Sequence, residues 1–112
     1  MTRKQALAEL IAKVEAGALS GDPKDHDLAR IAAGDDGDWL DIASAYTGSL
    51  DAAEALHEAV LPRWAAIVNT NGTAYLVGPA PYWERHTGCK ENSPARAWLL
   101  AILRALHASE PE

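Results

Sequence analysis

Leu7, Leu10, Ile11 and Val14 recur at i, i+3, i+4 and i+7, the spacing that lays one apolar stripe along an α-helix. Thr2 and Gln5 stand three apart at its head, where each side chain can reach the other's backbone N–H as a capping box. Gly17 stands at its foot as a stop. The pattern predicts a helix over 3–16, with Glu9 and Lys13 four apart on its outer side and placed to pair. A second helix is predicted from Pro23, with Asp22 as cap and Pro at the first position, where no N–H is needed. Leu28, Ile31 and Ala32 form its apolar side and Gly34 ends it. Asp35-Asp36-Gly37-Asp38 is a polar turn, and Asp38 is placed to cap a further short helical segment. Ser49 caps a helix over 50–59, in which Leu50, Ala53 and Leu56 share a side, while Asp51 and Glu54 suit the positive N-terminal end.

The period changes after Pro62. Residues 63–68 and 73–77 read as strands joined through Asn69-Thr70-Asn71-Gly72, where Asn-Gly supplies the positive φ of a tight turn. Trp64, Ala66 and Val68 share one face and Ala65 and Ile67 the other; in the second strand Tyr75 and Val77 oppose Ala74 and Leu76. Both faces are apolar, whereas a sheet wet on one side alternates, so the hairpin is expected to carry helices above and below. Gly78-Pro79-Ala80-Pro81 is a break, and 82–89 reads as a third, more polar strand at a sheet edge. The final helix, over 94–108, is capped by Ser93 and opened by Pro94, with Ala95, Trp98, Leu99, Ile102 and Leu106 as its main stripe. Leu100 and Leu103 fall outside that stripe, between Arg96 and Arg104, and are expected on the far side of the helix.

These elements predict an α+β fold, a three-layer α/β/α sandwich with a three-stranded antiparallel sheet covered by helices on both faces. At 112 residues the chain is expected to be a single domain over 1–112, with 109–112 a frayed tail. Alanine supplies 23 of its residues and phenylalanine none, a stock that suits closely approaching helices. The net charge is -6, and ten Lys and Arg are scattered among sixteen Asp and Glu. No basic cluster exists to neutralise phosphates, which argues against nucleic acid as a partner. No apolar run approaches the roughly 18 residues of a membrane span. The lone Cys89 excludes an internal disulfide and makes a soluble, reducing compartment the expectation.

Candidate chemistry is thin. His86 and Cys89 make the nearest thing to a metal half-site, but zinc needs about four such ligands and no second short-spaced pair stands elsewhere. Three residues apart, they would point to opposite faces of a regular strand. Asp35, Asp36, Asp38 and Asp41 fail the calcium-loop order, with Gly37 at the third position and Tyr46 at the twelfth; turn and cap chemistry explains them. The glycines are spread singly, so no phosphate loop is present. No cofactor, catalytic set or enzymatic activity is expected. Trp83, in the polar third strand beside Arg85, pairs an aromatic with an arginine as binding hot spots do. Trp83, Arg85, Leu100 and Leu103 are therefore the candidate protein-binding residues, while Trp64 and Trp98 sit on apolar faces and read as core.

Tyr46-Thr47-Gly48-Ser49-Leu50-Asp51-Ala52-Ala53, the Trp64-led hairpin and the closing Ser93-Pro94-Ala95-Arg96-Ala97-Trp98 helix resemble the phage ABA sandwich domain family, small proteins encoded by phages and prophages. The resemblance spans nearly the whole chain. It implies helices on both sides of a small antiparallel sheet, and it brings no activity, cofactor or catalytic residues to this sequence. With it, the expectation is a non-enzymatic interaction module that binds an unidentified protein in the bacterial cytoplasm. A virion structural or assembly role, or a small metal-dependent hydrolase centred on His86, Cys89 and His57, are the alternatives. A homodimer is compatible with each.

Overall fold

The structure is a computed structural model that describes residues 2–79, 85–89 and 93–110. The first helix, α1 (Arg3–Ala16), starts on the expected capping box: Gln5 N–H donates to Thr2 Oγ1 at 3.2 Å, and Thr2 N–H donates to Gln5 Oε1 at 2.9 Å. Gly17, at φ 68°, turns the chain so that Ala18 N–H reaches the Lys13 carbonyl at 2.8 Å, closing the last turn. Asp22 holds the cap position of α2 (Pro23–Ala33) without a capping hydrogen bond from its side chain. α3 (Trp39–Tyr46) and α4 (Leu50–Val60) follow, capped by Asp38 on Leu40 N–H at 2.9 Å and by Ser49 on Ala52 N–H at 3.1 Å. Two helix ends are finished by arginines from elsewhere in the chain. Arg3 donates to the Ala32 and Ala33 carbonyls at the end of α2, at 3.1 and 3.4 Å. Arg96 donates to the Tyr46 carbonyl at the end of α3 and lays its guanidinium on the Tyr46 ring, 4.1 Å from the centroid. A cation at a helix C-terminus meets both the unpaired carbonyls and the negative end of the dipole.

The strands β1 (Ala65–Val68), β2 (Thr73–Val77) and β3 (Arg85–Cys89) form an antiparallel sheet in the order β1-β2-β3. The β1–β2 turn is one residue longer than the two-residue type: Asn69 N–H donates to the Thr73 carbonyl at 2.9 Å, Gly72 N–H to the Asn69 carbonyl at 3.3 Å, and Gly72 stands at φ 90°. β3 occupies an edge, as its polarity predicts. The third strand begins at Arg85; residues 82–84 of the expected strand lie outside the described residues.

The α+β class, the antiparallel sheet and its helical cover agree with the sequence. The position of the sheet in the stack differs. α5 (Pro94–Ser109) lies against all three strands on one face and against α1, α3 and α4 on its other flank, so α5 is the middle layer. Ala74, Leu76 and Gly88 are buried beneath it. On the opposite sheet face Tyr75 and Val77 are half-buried, Arg85 and Thr87 are exposed, and Ile67 is 59% exposed. Among the described residues the helical cover therefore falls on one face. The hairpin earned its two-faced apolar reading largely from Ala65, Ala66 and Ala74, which are apolar but carry little area to bury.

The same arrangement corrects Leu100 and Leu103. Both are fully buried in the core and present nothing to a partner. Arg96 and Arg104 marked their side of the helix as wet, yet both side chains run out along the margin of a buried helix. Arg96 ends on α3, and Arg104 donates to the Thr87 carbonyl of β3 at 2.7 Å and pairs with Glu15 of α1.

Candidate functional site

Strand alternation sets the outward face of the sheet. The register pairs Ala65 with Val77 and Val77 with Arg85 in one row, and Ile67 with Tyr75 and Tyr75 with Thr87 in the next. Arg85 is the one Asp, Glu, Lys or Arg in the three strands, and its guanidinium lies over the Tyr75 ring, 4.5 Å from the centroid. At that distance the ring quadrupole attracts the cation and holds it on the face, with an apolar field of Val77, Ala65 and Ile67 beside it. Arg85 is thus exposed on the outward face of the sheet. Trp83 lies outside the described residues.

The histidines build something else. His57 of α4 is 6% exposed and both its ring nitrogens are engaged. Trp98 Nε1–H donates to Nδ1 at 3.2 Å, which makes Nδ1 the acceptor; Nε2 therefore carries the proton and donates to the Trp64 carbonyl at 2.8 Å. His57 is a strut that ties α4, α5 and the start of β1 together. His86 lies on the inner face beside Trp64, with ring centroids 5.7 Å apart, and among the described residues its buried Nε2 has no hydrogen-bond partner. Positions 86 and 89 pair with Leu76 and Thr73 and so belong to opposite faces of β3. Among the described residues no group of three or more His, Cys, Asp or Glu is placed to hold a metal ion. Both ring nitrogens of His57 are already taken within the fold.

Sequence reasoning missed a polar cluster between α1 and α2. Lys13 does not pair with Glu9 on its own helix. It crosses to Asp25, Nζ to Oδ1 2.6 Å. Asp25 is 4% exposed, and its Oδ2 accepts from Ser20 N–H at 2.8 Å and Ser20 Oγ at 3.0 Å. Beside it, Leu19, Ala29, Trp39 and Ala43 line a cleft of about 230 Å3, with the His26 ring 3.6 Å from that of Trp39. The Lys13 hydrogen bond, then the Ser20 N–H, hold the Asp25 carboxyl below its ordinary value near 3.8, and Asp25 raises Lys13 above 10.5. A carboxylate whose folded value is depressed contributes stability above the unfolded value and loses it as pH falls through the folded one. A raised lysine contributes below 10.5 and loses it as pH climbs past its folded value. The pair is thus whole between about pH 4 and 10. Asp25→Asn is expected to lower the urea midpoint at pH 7 and to shrink the loss of stability between pH 4 and pH 2. An unchanged acid profile would remove the pair from the account.

No signal within one helix marks this pairing, because it depends on how α1 crosses α2. Among the described residues no helix is long and apolar enough to cross a membrane. No family model, curated protein or solved structure matches this chain.

Proposed function

We propose that this chain is a non-enzymatic protein-interaction module that binds through the outward face of its sheet. The observation that carries the reading is Arg85, fixed on the Tyr75 ring within an apolar field on the sheet face opposite α5. An exposed apolar patch with one anchored cation suits a folded protein surface that has an apolar centre and a carboxylate set to meet the guanidinium. The engaged nitrogens of His57 and the separation of positions 86 and 89 favour binding over catalysis at the histidines. The resemblance of 46–53 and 93–106 to phage ABA sandwich proteins supports a phage or prophage origin and a partner in the bacterial host. That support rests on the residues themselves, since the layer order differs from the one the resemblance implies.

Affinity capture from bacterial lysate tests the reading. The wild-type chain is expected to retain a defined protein that Arg85→Glu and Val77→Lys each lose by about tenfold or more, as rim charge reversal and core charging do in other interfaces. Far-UV circular dichroism should show both variants folded. Retention unchanged in both variants, or no protein retained by the wild type, would overturn the assignment.

A further inference from the structure

β1 is an edge strand, and the hairpin determines which of its backbone groups face outward. Asn69 N–H donates to the Thr73 carbonyl, so antiparallel alternation also turns the groups of Ile67 and Ala65 toward β2. The N–H and C=O of Trp64, Ala66 and Val68 point the other way. Those of Trp64 are taken: its N–H donates to the Leu61 carbonyl at 3.0 Å and its carbonyl accepts from His57 Nε2. The end of α4 thereby closes the start of the edge. Among the described residues no group meets the outward N–H and C=O of Ala66 and Val68. Among the described residues the edge also lacks the devices that blunt such strands, with no charge or proline in β1 and no helix over Ala65, Ala66 and Ile67, all exposed.

We propose that two copies of this chain pair antiparallel through β1, about a twofold axis at Ile67, and join their sheets into one. The open groups select this centre. With the axis at Ile67, Ala66 of one copy faces Val68 of the other, and each pair exchanges N–H···O=C bonds in both directions. Every open group on both edges is then used. An axis at Ala66 would set Val68 against Trp64, whose carbonyl His57 already holds. An axis at Val68 would set Ala66 against Thr70, beyond the strand. At the chosen centre Ile67 meets its own copy as a non-hydrogen-bonded pair, with Cα atoms about 4.5 Å apart. Ile67 is also the most exposed large apolar side chain among the described residues, at 59%. The acidic chain places no charge in this strand, so the pairing opposes no like charges despite a net -6 on each copy. This inference concerns the backbone edge of β1 and does not rest on the binding role of the sheet face, although the side chain of Ile67 belongs to both.

The purified chain alone tests it, with no host protein present. Sedimentation equilibrium should show the mass rise from 12.0 kDa toward twice that value between roughly 10 µM and 1 mM, the range for a small interface. Ile67→Lys, which sets two ammonium groups against each other at the axis, should weaken the dimer by at least about tenfold. Its circular dichroism should not change, because the side chain is exposed. In a Cys89→Ser background, Ile67→Cys should form a covalent dimer on mild oxidation, since a directly opposed pair lies within disulfide reach. Ala66→Cys in the same background should not, because position 66 faces position 68. A mass of 12.0 kDa at every concentration overturns the proposal. So does a dimer that Ile67→Lys leaves intact, or one that crosslinks through position 66 in preference to 67.

Discussion

Gly88→Val is expected to yield no folded protein, and Gly88→Ala to cost more than about 3 kcal/mol, beyond the usual range for overpacking. Gly88 lies on the inner face of β3, opposite Ala74 in the register, where α5 crosses the strand. A Cβ at this position would stand 2.8 Å from Ala101 N and 2.9 Å from the Ala97 carbonyl carbon, and closer still to the Ala97 oxygen. All three are backbone atoms of a helix held on its other flank by α1, α3 and α4, so no rotamer change relieves the clash. Either α5 lifts from the sheet, which uncovers Ala74 and Leu76, or β3 leaves β2. Urea denaturation at 25 °C measures the loss. Gly21→Ala is the control, since nothing lies within 4 Å of a Cβ there and its backbone is ordinary; it should move stability by less than about 0.5 kcal/mol. A Gly88→Ala protein with near wild-type stability would mean that α5 does not sit on β3 as described.

This contact also explains why the composition is so rich in alanine. Ala97 and Ala101, four apart on α5, bring helix backbone against strand backbone. The sequence announced close approach through its 23 alanines but not where it occurs. Local signals were legible throughout: the Thr2–Gln5 box, Pro23, the Asp38, Ser49 and Ser93 caps and the hairpin placed the elements within a few residues. Layer order was not legible from the hairpin, because Ala65 and Ala66 count as apolar in a pattern and contribute little to burial. The readable signal was in α5, where only Arg96, Arg104 and His107 interrupt the apolar and alanine positions from Ala95 to Ala108. A helix apolar nearly all round belongs inside the fold. At the candidate site, Arg85 was legible as an arginine among aromatics. The Asp25–Lys13 pair and the His57–Trp98 bond were not, since each joins residues whose proximity exists only after helices cross.

Leu100→Ala and Leu103→Ala follow from the central place of α5, and each is expected to cost about 2–5 kcal/mol. Both side chains are fully buried, and truncation forfeits the transfer energy of the removed atoms and leaves a cavity that rigid neighbours fill only in part. A domain of this size has about 5–15 kcal/mol in hand, so one truncation consumes a large share. Leu100→Lys is expected to unfold the chain outright, because the ammonium would have to desolvate where no partner waits. Its consequence for partner capture is then indirect: binding disappears because the fold does. Arg85→Glu separates the two cases, since it should weaken capture by about tenfold or more while leaving the unfolding free energy within about 0.5 kcal/mol of wild type. Were Leu100→Ala to cost under about 1 kcal/mol, α5 would have a free flank and the order of layers would be wrong.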